Sequence, residues 1–275
     1  FVPPSATYDD ASGWFAGGML NTCHNCLDRH VVAGRGDAPA LIYDSPVTDT
    51  IHTYSYADLL DETGRVAAML AHLGVGKGDR VVLYMPMIPQ TVFAMLACAR
   101  LGAVHSVVFG GFAPLELAKR IDDATPKLLL TASCGIEGAR TIAYKPMVDE
   151  AVALASHKVA HVVVYQRDRM TADLSATHDL DWMAVRAETA EAPVPACVPL
   201  ASDDPLYILY TSGTTGVPKG VVRENGRRLM WAGSWGIAIL SMHRFWSARR
   251  ACCSKASPSV RRTLAPSGAP SRAMA

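Results

Sequence analysis

Short apolar strands alternate with amphipathic helices along most of this chain, and that order limits the folds it can adopt. The apolar runs include Arg80–Met85, Val104–Phe109 and His161–Tyr165, each typical of a buried strand. Helical patterns lie between such runs, for example at Gln90–Leu101 and Pro114–Ala124. Parallel strands are joined by crossover helices, which cover both faces of the sheet. The sequence therefore predicts an α/β fold with mostly parallel sheets, helices on both faces and ligand loops at the carboxyl ends of the strands.

Further predicted elements precede and follow these examples. Leu41–Tyr43 and Ile51–Tyr54 form a small hairpin. Ser55 begins a helix, because Asp58 stands three residues later in a capping-box pattern. The remaining predictions are a strand at Lys127–Ala132, a helix at Pro146–Ala155, a helix at Asp181–Glu188, a proline-rich connector at Thr189–Pro205 and a strand at Leu206–Tyr210.

Length and composition exclude some classes of protein. The chain has 275 residues, of which 50% are hydrophobic, so it can bury a substantial core in one large or two small domains. The sequence shows no signal-peptide pattern and no uncharged apolar stretch long enough to span a membrane. Seven cysteines without a regular spacing favour reduced thiols over a disulfide framework. We therefore expect a cytoplasmic protein without a membrane partner.

One cysteine cluster near the start of the chain resembles half of a zinc site. Cys23 and Cys26 have His24 and His30 beside them, but no second Cys/His pair follows at a zinc-ligand spacing. Cys23 also shares a helical spacing with Leu27, which indicates a side chain that faces a core. No metal site is predicted.

The segment from Tyr210 to Gly220, YTSGTTGVPKG, carries the strongest chemical signal. A glycine-containing turn behind a buried strand can direct several backbone N–H groups at one anion, while hydroxyls add further donors and Lys219 adds a positive charge. Gly220 follows Lys219, so the hydroxyl that binds magnesium in a Walker loop is missing. An ordinary Ser/Thr/Gly surface loop is the alternative. The predicted phosphate-binding residues are Thr211, Ser212, Gly213, Thr214, Thr215, Gly216 and Lys219.

This eleven-residue string resembles the signature loop of the adenylate-forming enzymes, the superfamily of acyl-CoA synthetases, luciferases and nonribosomal adenylation domains. Val221–Gly226 (VVRENG) is similar to propionyl-CoA synthetases in particular. The resemblance runs from residue 1 to Gly226. Other segments that carry it are Met19–Val31, Tyr43–Thr48, Gly74–Met87, Ala103–Phe112 and Ala132–Glu137.

The resemblance implies a fold, a reaction and a set of ligands. The chain would be an incomplete N-terminal domain of the adenylate-forming fold. A short carboxylate, propionate or acetate, would attack the α-phosphate of Mg-ATP to give an acyl-adenylate, and coenzyme A would then displace AMP. ATP, Mg²⁺ and coenzyme A are thus the implied cofactors, with Lys219 and Thr214 as the implied catalytic residues. No nucleic acid is an expected partner, and the oligomeric state is not predicted.

Four residues outside the loop are implied contacts of coenzyme A. Phe109, Gly110 and Gly111 follow a strand, where paired glycines let a ligand or a tight turn approach the backbone. Arg140 corresponds to one of the family's arginines near the coenzyme phosphates, and a solvated surface charge is the alternative. Glu137 stands where the acetyl-type pattern has a second arginine, and an acid is unfavourable beside a phosphate.

The composition changes abruptly after Gly226. Residues 227–275 contain nine Lys or Arg and no Asp or Glu, so all 25 acidic residues lie upstream. Three interpretations are a basic tail, a disordered linker and translation out of frame. With suitably chosen codons, a shift of one nucleotide turns Gly236–Leu240 into Gly-His-Ser-Tyr-Ile and turns Cys252–Ala269 into a sequence that begins Leu-Leu-Glu-Gly-Lys-Pro. Both resemble the family, so we predict a partial AMP-binding domain at 1–226 and an aberrant basic tail at 227–275.

The family's remaining functional parts would follow Gly226. They are the adenine-recognition loop, the Glu that holds magnesium, the Asp that binds the ribose and a mobile C-terminal domain with the adenylation lysine. We therefore expect an inactive fragment of a propionyl-CoA synthetase. The alternatives are a fragment of an acetyl-CoA synthetase, a non-catalytic remnant that binds nucleotide or coenzyme A, and a nucleic-acid binder with a basic tail.

Overall fold

The computed structural model describes residues 18–211 and 219–226. Its strands are β1 (Met19–Leu20), β2 (Pro39–Ser45), β3 (Thr50–Ser55), β4 (Arg80–Met85), β5 (Val104–Phe109), β6 (Leu128–Ala132), β7 (Cys134–Glu137), β8 (Arg140–Ala143), β9 (His161–Tyr165), β10 (Asp179–Asp181), β11 (Leu200–Ala201), β12 (Pro205–Thr211) and β13 (Lys219–Glu224). Its helices are α1 (Thr22–Cys26), α2 (Asp28–Val32), α3 (Tyr56–His72), α4 (Pro89–Leu101), α5 (Pro114–Ala124), α6 (Lys145–Leu154) and α7 (Trp182–Glu188).

Within the described residues, seven strands form the main sheet, in the spatial order β10-β9-β6-β4-β5-β12-β13. Every neighbouring pair from β10 to β12 is parallel, and β13 runs antiparallel to β12. In the centre, Leu83 of β4 lies between Val107 of β5 and Leu130 of β6. The predicted α/β fold with a mostly parallel sheet is confirmed.

Helices cover both faces of the sheet, because the side chains of its central strands are buried alternately on each side. On one face, Val82, Leu129 and Val162 join one buried cluster with Leu117 of α5 and Val148 of α6. The opposite side chains are equally buried, and α3 and α4 pack together there, with α4 against β4 and β5. A sheet enclosed in this way explains why its strands are near-continuous apolar runs.

Local sequence signals set several element ends. Ser55 Oγ accepts a hydrogen bond from the Asp58 N–H at 3.1 Å, and the Ser55 N–H donates to the Asp58 carboxylate at 3.0 Å, so the predicted capping box begins α3. Pro89 begins α4, where its missing N–H has no intrahelical partner to lose. Gly102 ends α4 at φ 72°, in the left-handed region that favours glycine.

In the part of the chain that the structure describes, three two-stranded sheets accompany the main sheet: β1 with β11, β2 with β3, and β7 with β8. The β2–β3 hairpin was predicted, whereas the β7–β8 hairpin, β13 and β10 were not. Among the described residues, no helix combines the length and the apolar character that crossing a membrane requires. The part of the Tyr210–Gly220 loop at residues 212–218 and the segment 227–275 lie outside the described residues.

Candidate functional site

The predicted phosphate loop connects two paired strands at the carboxyl edge of the sheet. Thr211, the last residue of β12, pairs with Lys219, the first residue of β13. Since β12 is parallel to β5, this end lies on the same edge as the end of β5 at Phe109. Ligand loops lie at this edge in open parallel sheets. The pairing fixes both ends of the loop, while Ser212, Gly213, Thr214, Thr215 and Gly216 lie outside the described residues.

The side chain of Lys219 fits a role as an anion contact. Lys219 and Thr211 are both exposed. Within residues 18–211 and 219–226, no carboxylate oxygen lies within 4 Å of the Lys219 ammonium. A cation with no carboxylate partner among the described residues, at the end of a hydroxyl-rich loop, is chemically suited to phosphate oxygens.

The base of the loop is anchored to α5. The Tyr210 hydroxyl donates a hydrogen bond of 2.5 Å to the Asp123 carboxylate. A Cβ on Gly220 would lie 3.1 Å from the same carboxylate and 3.2 Å from the Tyr210 ring, so the strand passes close over this pair. Burial first, and then the bond to Asp123, raises the pKa of Tyr210 well above its ordinary value. The tyrosine therefore stays a neutral donor at physiological pH.

Arg120 connects this anchor to the loop after β5. Its guanidinium lies 5.2 Å from the centre of the Tyr210 ring and 4.9 Å from that of Phe112. It also donates to the Glu116 carboxylate at 3.1 Å. One side chain of α5 therefore contacts both the entrance of the phosphate loop and the Phe109–Phe112 turn.

The Phe109–Phe112 turn is held by a buried tyrosine of β4. The Gly111 N–H donates to the Tyr84 hydroxyl at 3.0 Å, and that hydroxyl donates to the Phe112 carbonyl at 3.0 Å. Gly111 adopts φ 103°, which favours glycine. Phe109 is 50% exposed at the end of β5. The turn therefore presents an apolar side chain and exposed backbone at the carboxyl edge.

Gly110 has an intramolecular reason to be glycine. A Cβ there would overlap the ring and hydroxyl of Tyr144, and a Cβ on Gly135 would overlap the same ring from β7. The ring of Tyr144 lies 5.1 Å from that of Tyr84, centre to centre. Gly110 and Gly135 therefore allow the two tyrosines to pack beneath the turn. This packing supports the tight-turn alternative for Gly110, and it leaves the exposed Gly111 accessible to a ligand.

Arg140 begins β8 and faces Glu137 across the β7–β8 hairpin. Both residues are exposed, and Glu137 Oε1 is the nearest atom, at 3.2 Å, to a Cβ built on Gly111. The hairpin thus brings the Arg140 strand beside the Phe109–Gly111 turn. Arg140 lies in the β7–β8 sheet and Lys219 in the main sheet, so the two cationic side chains belong to different elements.

Sequence reasoning missed three residues that organise the site: Tyr84, Arg120 and Tyr144. Tyr84 lies inside β4, Arg120 inside α5 and Tyr144 directly before α6. At such positions an aromatic or amphipathic side chain is explained by packing alone, so the sequence gives no sign of a further role. The signal that could have found Tyr144 is the pair Gly110 and Gly135, since two glycines in separate strands can flank one large side chain.

A cavity of about 570 Å³ lies elsewhere, among α6 and the segment before β10. Residues that line it include Lys145, Asp149, Leu174 and His178. None of the predicted site residues that the structure describes lines this cavity, so it is not part of the candidate site.

Comparison with known proteins assigns the chain to a family. The sequence profile of the family described as AMP-binding enzyme matches residues 28–254. A protein of Pseudomonas aeruginosa described as uncharacterised is 62% identical over 218 residues, which cover 79% of this chain and 34% of that protein.

Two relatives with a described activity are also similar. Acyl-CoA synthetase short-chain family member 3, mitochondrial, of Rattus norvegicus is 52% identical over 220 residues, which cover 80% of this chain and 32% of the relative. Propionate–CoA ligase of Salmonella typhimurium is 46% identical over 213 residues, or 78% of this chain and 34% of the ligase. The chain thus spans about a third of the length of the curated relatives that it matches.

Proposed function

Because this chain belongs to the family of AMP-binding, adenylate-forming enzymes, we propose that it is part of an ATP-dependent short-chain acyl-CoA synthetase that uses propionate. The observation that carries the proposal is the Thr211–Lys219 hairpin at the carboxyl edge of the parallel sheet. The name of the Salmonella typhimurium relative, propionate–CoA ligase, supports the choice of substrate. Acetate is the alternative substrate.

In this proposal the loop acts electrostatically on the β- and γ-phosphates of ATP. Thr211, Ser212, Thr214 and Thr215 supply hydroxyl donors, and Gly213 and Gly216 supply backbone N–H donors. Lys219 supplies the cation, and its exposure and lack of a described carboxylate partner support this role. Fixed donors orient the α-phosphorus toward the carboxylate and stabilise charge on the leaving pyrophosphate, so Lys219 and Thr214 are the proposed catalytic residues.

Magnesium would enter the site with the triphosphate as its counter-ion. Thr211 is an exposed residue with a hydroxyl at the loop entrance, while Asp123, at the base of the hairpin, already accepts from Tyr210. This chain's described residues therefore supply donors to phosphate rather than ligands to the metal, which agrees with the family's Glu for magnesium lying farther along the sequence.

Coenzyme A would approach the same edge beside the loop after β5. Phe109 offers an exposed ring and Gly111 an exposed backbone, with the buried Gly110 between them, and the neighbouring β7–β8 hairpin presents Arg140 for a coenzyme phosphate. Glu137 faces Arg140 and weakens the positive potential there. The expected effect is a weaker phosphate contact than two arginines would give.

We infer that the 275-residue chain does not turn over by itself. In this proposal residues 1–226 are a partial AMP-binding domain and residues 227–275 are out of frame. The profile match continues to residue 254, so the boundary at Gly226 needs a direct test. The nucleotide sequence around the Gly226 codon provides it: an intact frame through residue 275 would contradict this division.

Pyrophosphate release tests the proposed activity. The 275-residue chain is compared with a version that continues in the family frame after Gly226 to the length of the relatives, each with ATP, Mg²⁺ and coenzyme A. We expect propionate-dependent pyrophosphate from the second protein alone, with acetate less effective. Turnover by the 275-residue chain would contradict its proposed inactivity, and a preference for acetate would overturn the choice of substrate.

A cytoplasmic location is proposed as well, and it differs from the location printed in the name of the rat relative, which is mitochondrial. Fractionation of the source cells with an antibody to this chain tests it. Recovery with a membrane-bounded compartment would overturn it.

A further inference from the structure

Two cysteines far apart in the sequence meet beneath α4. Cys23 of α1 is fully buried, and Cys197, in the connector before β11, is partly exposed. Their sulfur atoms and a carboxylate oxygen of Asp28 all lie within 4.8 Å of one another. Cys197 Sγ lies 3.7 Å from Asp28 Oδ2. The two sulfur atoms thus have to approach each other by less than about 3 Å to reach the length of a disulfide bond.

Hydrogen bonds fix the backbone on both sides of this pair. The Asn21 side-chain amide donates to the Val198 carbonyl and to the Ala99 carbonyl, each at 2.9 Å. The Val198 N–H donates to the Arg100 carbonyl at 2.9 Å. The approach of Cys23 and Cys197 therefore follows from the packing of α1 and the connector on the end of α4.

Arg100 places a positive charge beside the two thiols. Its Nη1 lies 3.7 Å from Cys23 Sγ and donates to both Asp28 oxygens at 3.0 Å. The pKa of Cys197 is lowered, first by a hydrogen bond from Cys23 and then by the charge of Arg100, against burial and the Asp28 carboxylate, which raise it. The bond to Cys197 and burial raise the pKa of Cys23. Cys197, which is also the partly exposed thiol, is therefore the more readily ionised of the two.

The same three ligand atoms could in principle hold a metal ion, but Arg100 opposes this. Its guanidinium already occupies both oxygens of Asp28 and contacts Cys23. A divalent cation would have to displace that contact and sit beside a fixed positive charge. The arrangement favours an anionic sulfur over a bound cation.

We propose that Cys23 and Cys197 form a redox-active pair that is oxidised to a disulfide by hydrogen peroxide or an organic hydroperoxide. The Cys197 thiolate attacks the OH-bearing oxygen of the peroxide and the O–O bond breaks, which leaves Cys197 as a sulfenic acid. The departing hydroxide takes up a proton and leaves as water, or, from an organic hydroperoxide, the alkoxide leaves as an alcohol. Cys23 sulfur then attacks Cys197 sulfur, and the hydroxyl group leaves as water with the Cys23 proton. Two thiols lose two electrons and two protons, and hydrogen peroxide becomes two waters.

The disulfide would connect α1 to the connector across the end of α4. Because the bridged residues are distant in the sequence, the bond would restrict the unfolded chain strongly. We expect the oxidised protein to melt at a temperature higher by about 5 °C or more. Exposure to peroxide would thus increase the thermal stability of this part of the domain.

The test uses the 275-residue chain with Cys252 and Cys253 changed to Ser, treated with one equivalent of hydrogen peroxide after full reduction. Peptide mapping is expected to recover one major disulfide, between Cys23 and Cys197. Cys26 and Cys98 are the internal controls, one partly exposed and the other fully buried. A different pairing, or no disulfide while other thiols are oxidised, would overturn the proposal.

A second variant separates the steps. With Cys23→Ser, the disulfide cannot form, and a sulfenic acid on Cys197 should be trapped by dimedone about 10-fold more than one on Cys26. Cys26→Ser should leave the Cys23–Cys197 disulfide and its melting shift unchanged. Equal labelling of Cys197 and Cys26 in Cys23→Ser, with a native circular dichroism spectrum, would show that Cys197 is not selectively reactive and would overturn the proposal.

Discussion

The centre of the sheet and its β12–β13 edge are stabilised in different ways. Every residue from Val81 to Met85 in β4 and from Leu128 to Ala132 in β6 is at most 2% exposed. In β13, Val222 is 53% exposed. The centre is held by apolar burial, whereas the edge depends on a few specific contacts with α5. The proposed binding residues lie at the edge, where side chains are still available to a ligand.

The largest expected difference is in the response to truncation of an apolar side chain. Leu129→Ala in β6 should lower the free energy of unfolding by about 2–5 kcal/mol, because it leaves a cavity in the buried cluster. Val222→Ala should change it by less than about 0.5 kcal/mol. Urea titration of both variants measures this, and equal losses would break the comparison.

Lys219→Ala should separate stability from chemistry. We expect an unchanged unfolding midpoint, because the side chain is exposed and has no described carboxylate partner. In the version that continues in the family frame, the rate of pyrophosphate release should fall by about 10²–10³, or roughly 3 kcal/mol of transition-state stabilisation. Lys219→Arg serves as the charge-retaining control. A lower unfolding midpoint with unchanged turnover would assign Lys219 to structure instead.

Gly110→Ala tests the packing beneath the turn after β5. The new methyl group would overlap Tyr144, so we expect a loss of about 1–3 kcal/mol. Gly76→Ala is the matched control, since no atom lies within 4 Å of the added Cβ. Thermal unfolding compares the two variants. A neutral Gly110→Ala would show that Tyr144 does not fill this space.

Tyr210→Phe should have the smallest effect, about 0.5–1.5 kcal/mol, through the hydrogen bond to Asp123. Burial and Asp123 raise the pKa of Tyr210 in the folded state above the value of about 10 that it has in the unfolded chain. The stability that the protonated side chain contributes is therefore fully present below pH 10, and it is lost as the pH rises from there through the pKa of the folded state. The fall in unfolding free energy above pH 10 should be shallower in Tyr210→Phe than in the unchanged protein. Parallel curves would contradict this coupling.

The difference between centre and edge also explains which elements could be predicted. The bounds of β4, β5, β9 and α5 agree with the sequence prediction, because uninterrupted apolar or periodic patterns define them. The β7–β8 hairpin contains Gly135 and Gly138, and its strands are only four residues each. β13 is exposed and carries charges at Lys219 and Arg223. Neither segment has a local apolar period that would indicate a strand.

The site itself was predictable only in part. The strand before Thr211 and the turn after Phe109 follow from local patterns, and the structure places both at the same edge. The contacts that hold them, through Tyr84, Arg120 and Tyr144, join residues that are distant in the sequence. Such pairs become visible only when the sheet order brings their strands and helices together.

The most direct test of the central claim is formation of the thioester. The version that continues in the family frame is supplied with propionate, ATP, Mg²⁺ and coenzyme A, and the products are separated by chromatography. The account predicts propionyl-CoA and AMP in equal amounts, and their loss by about 10²-fold or more in Lys219→Ala. No thioester from any short acid, or full activity in Lys219→Ala, would contradict it.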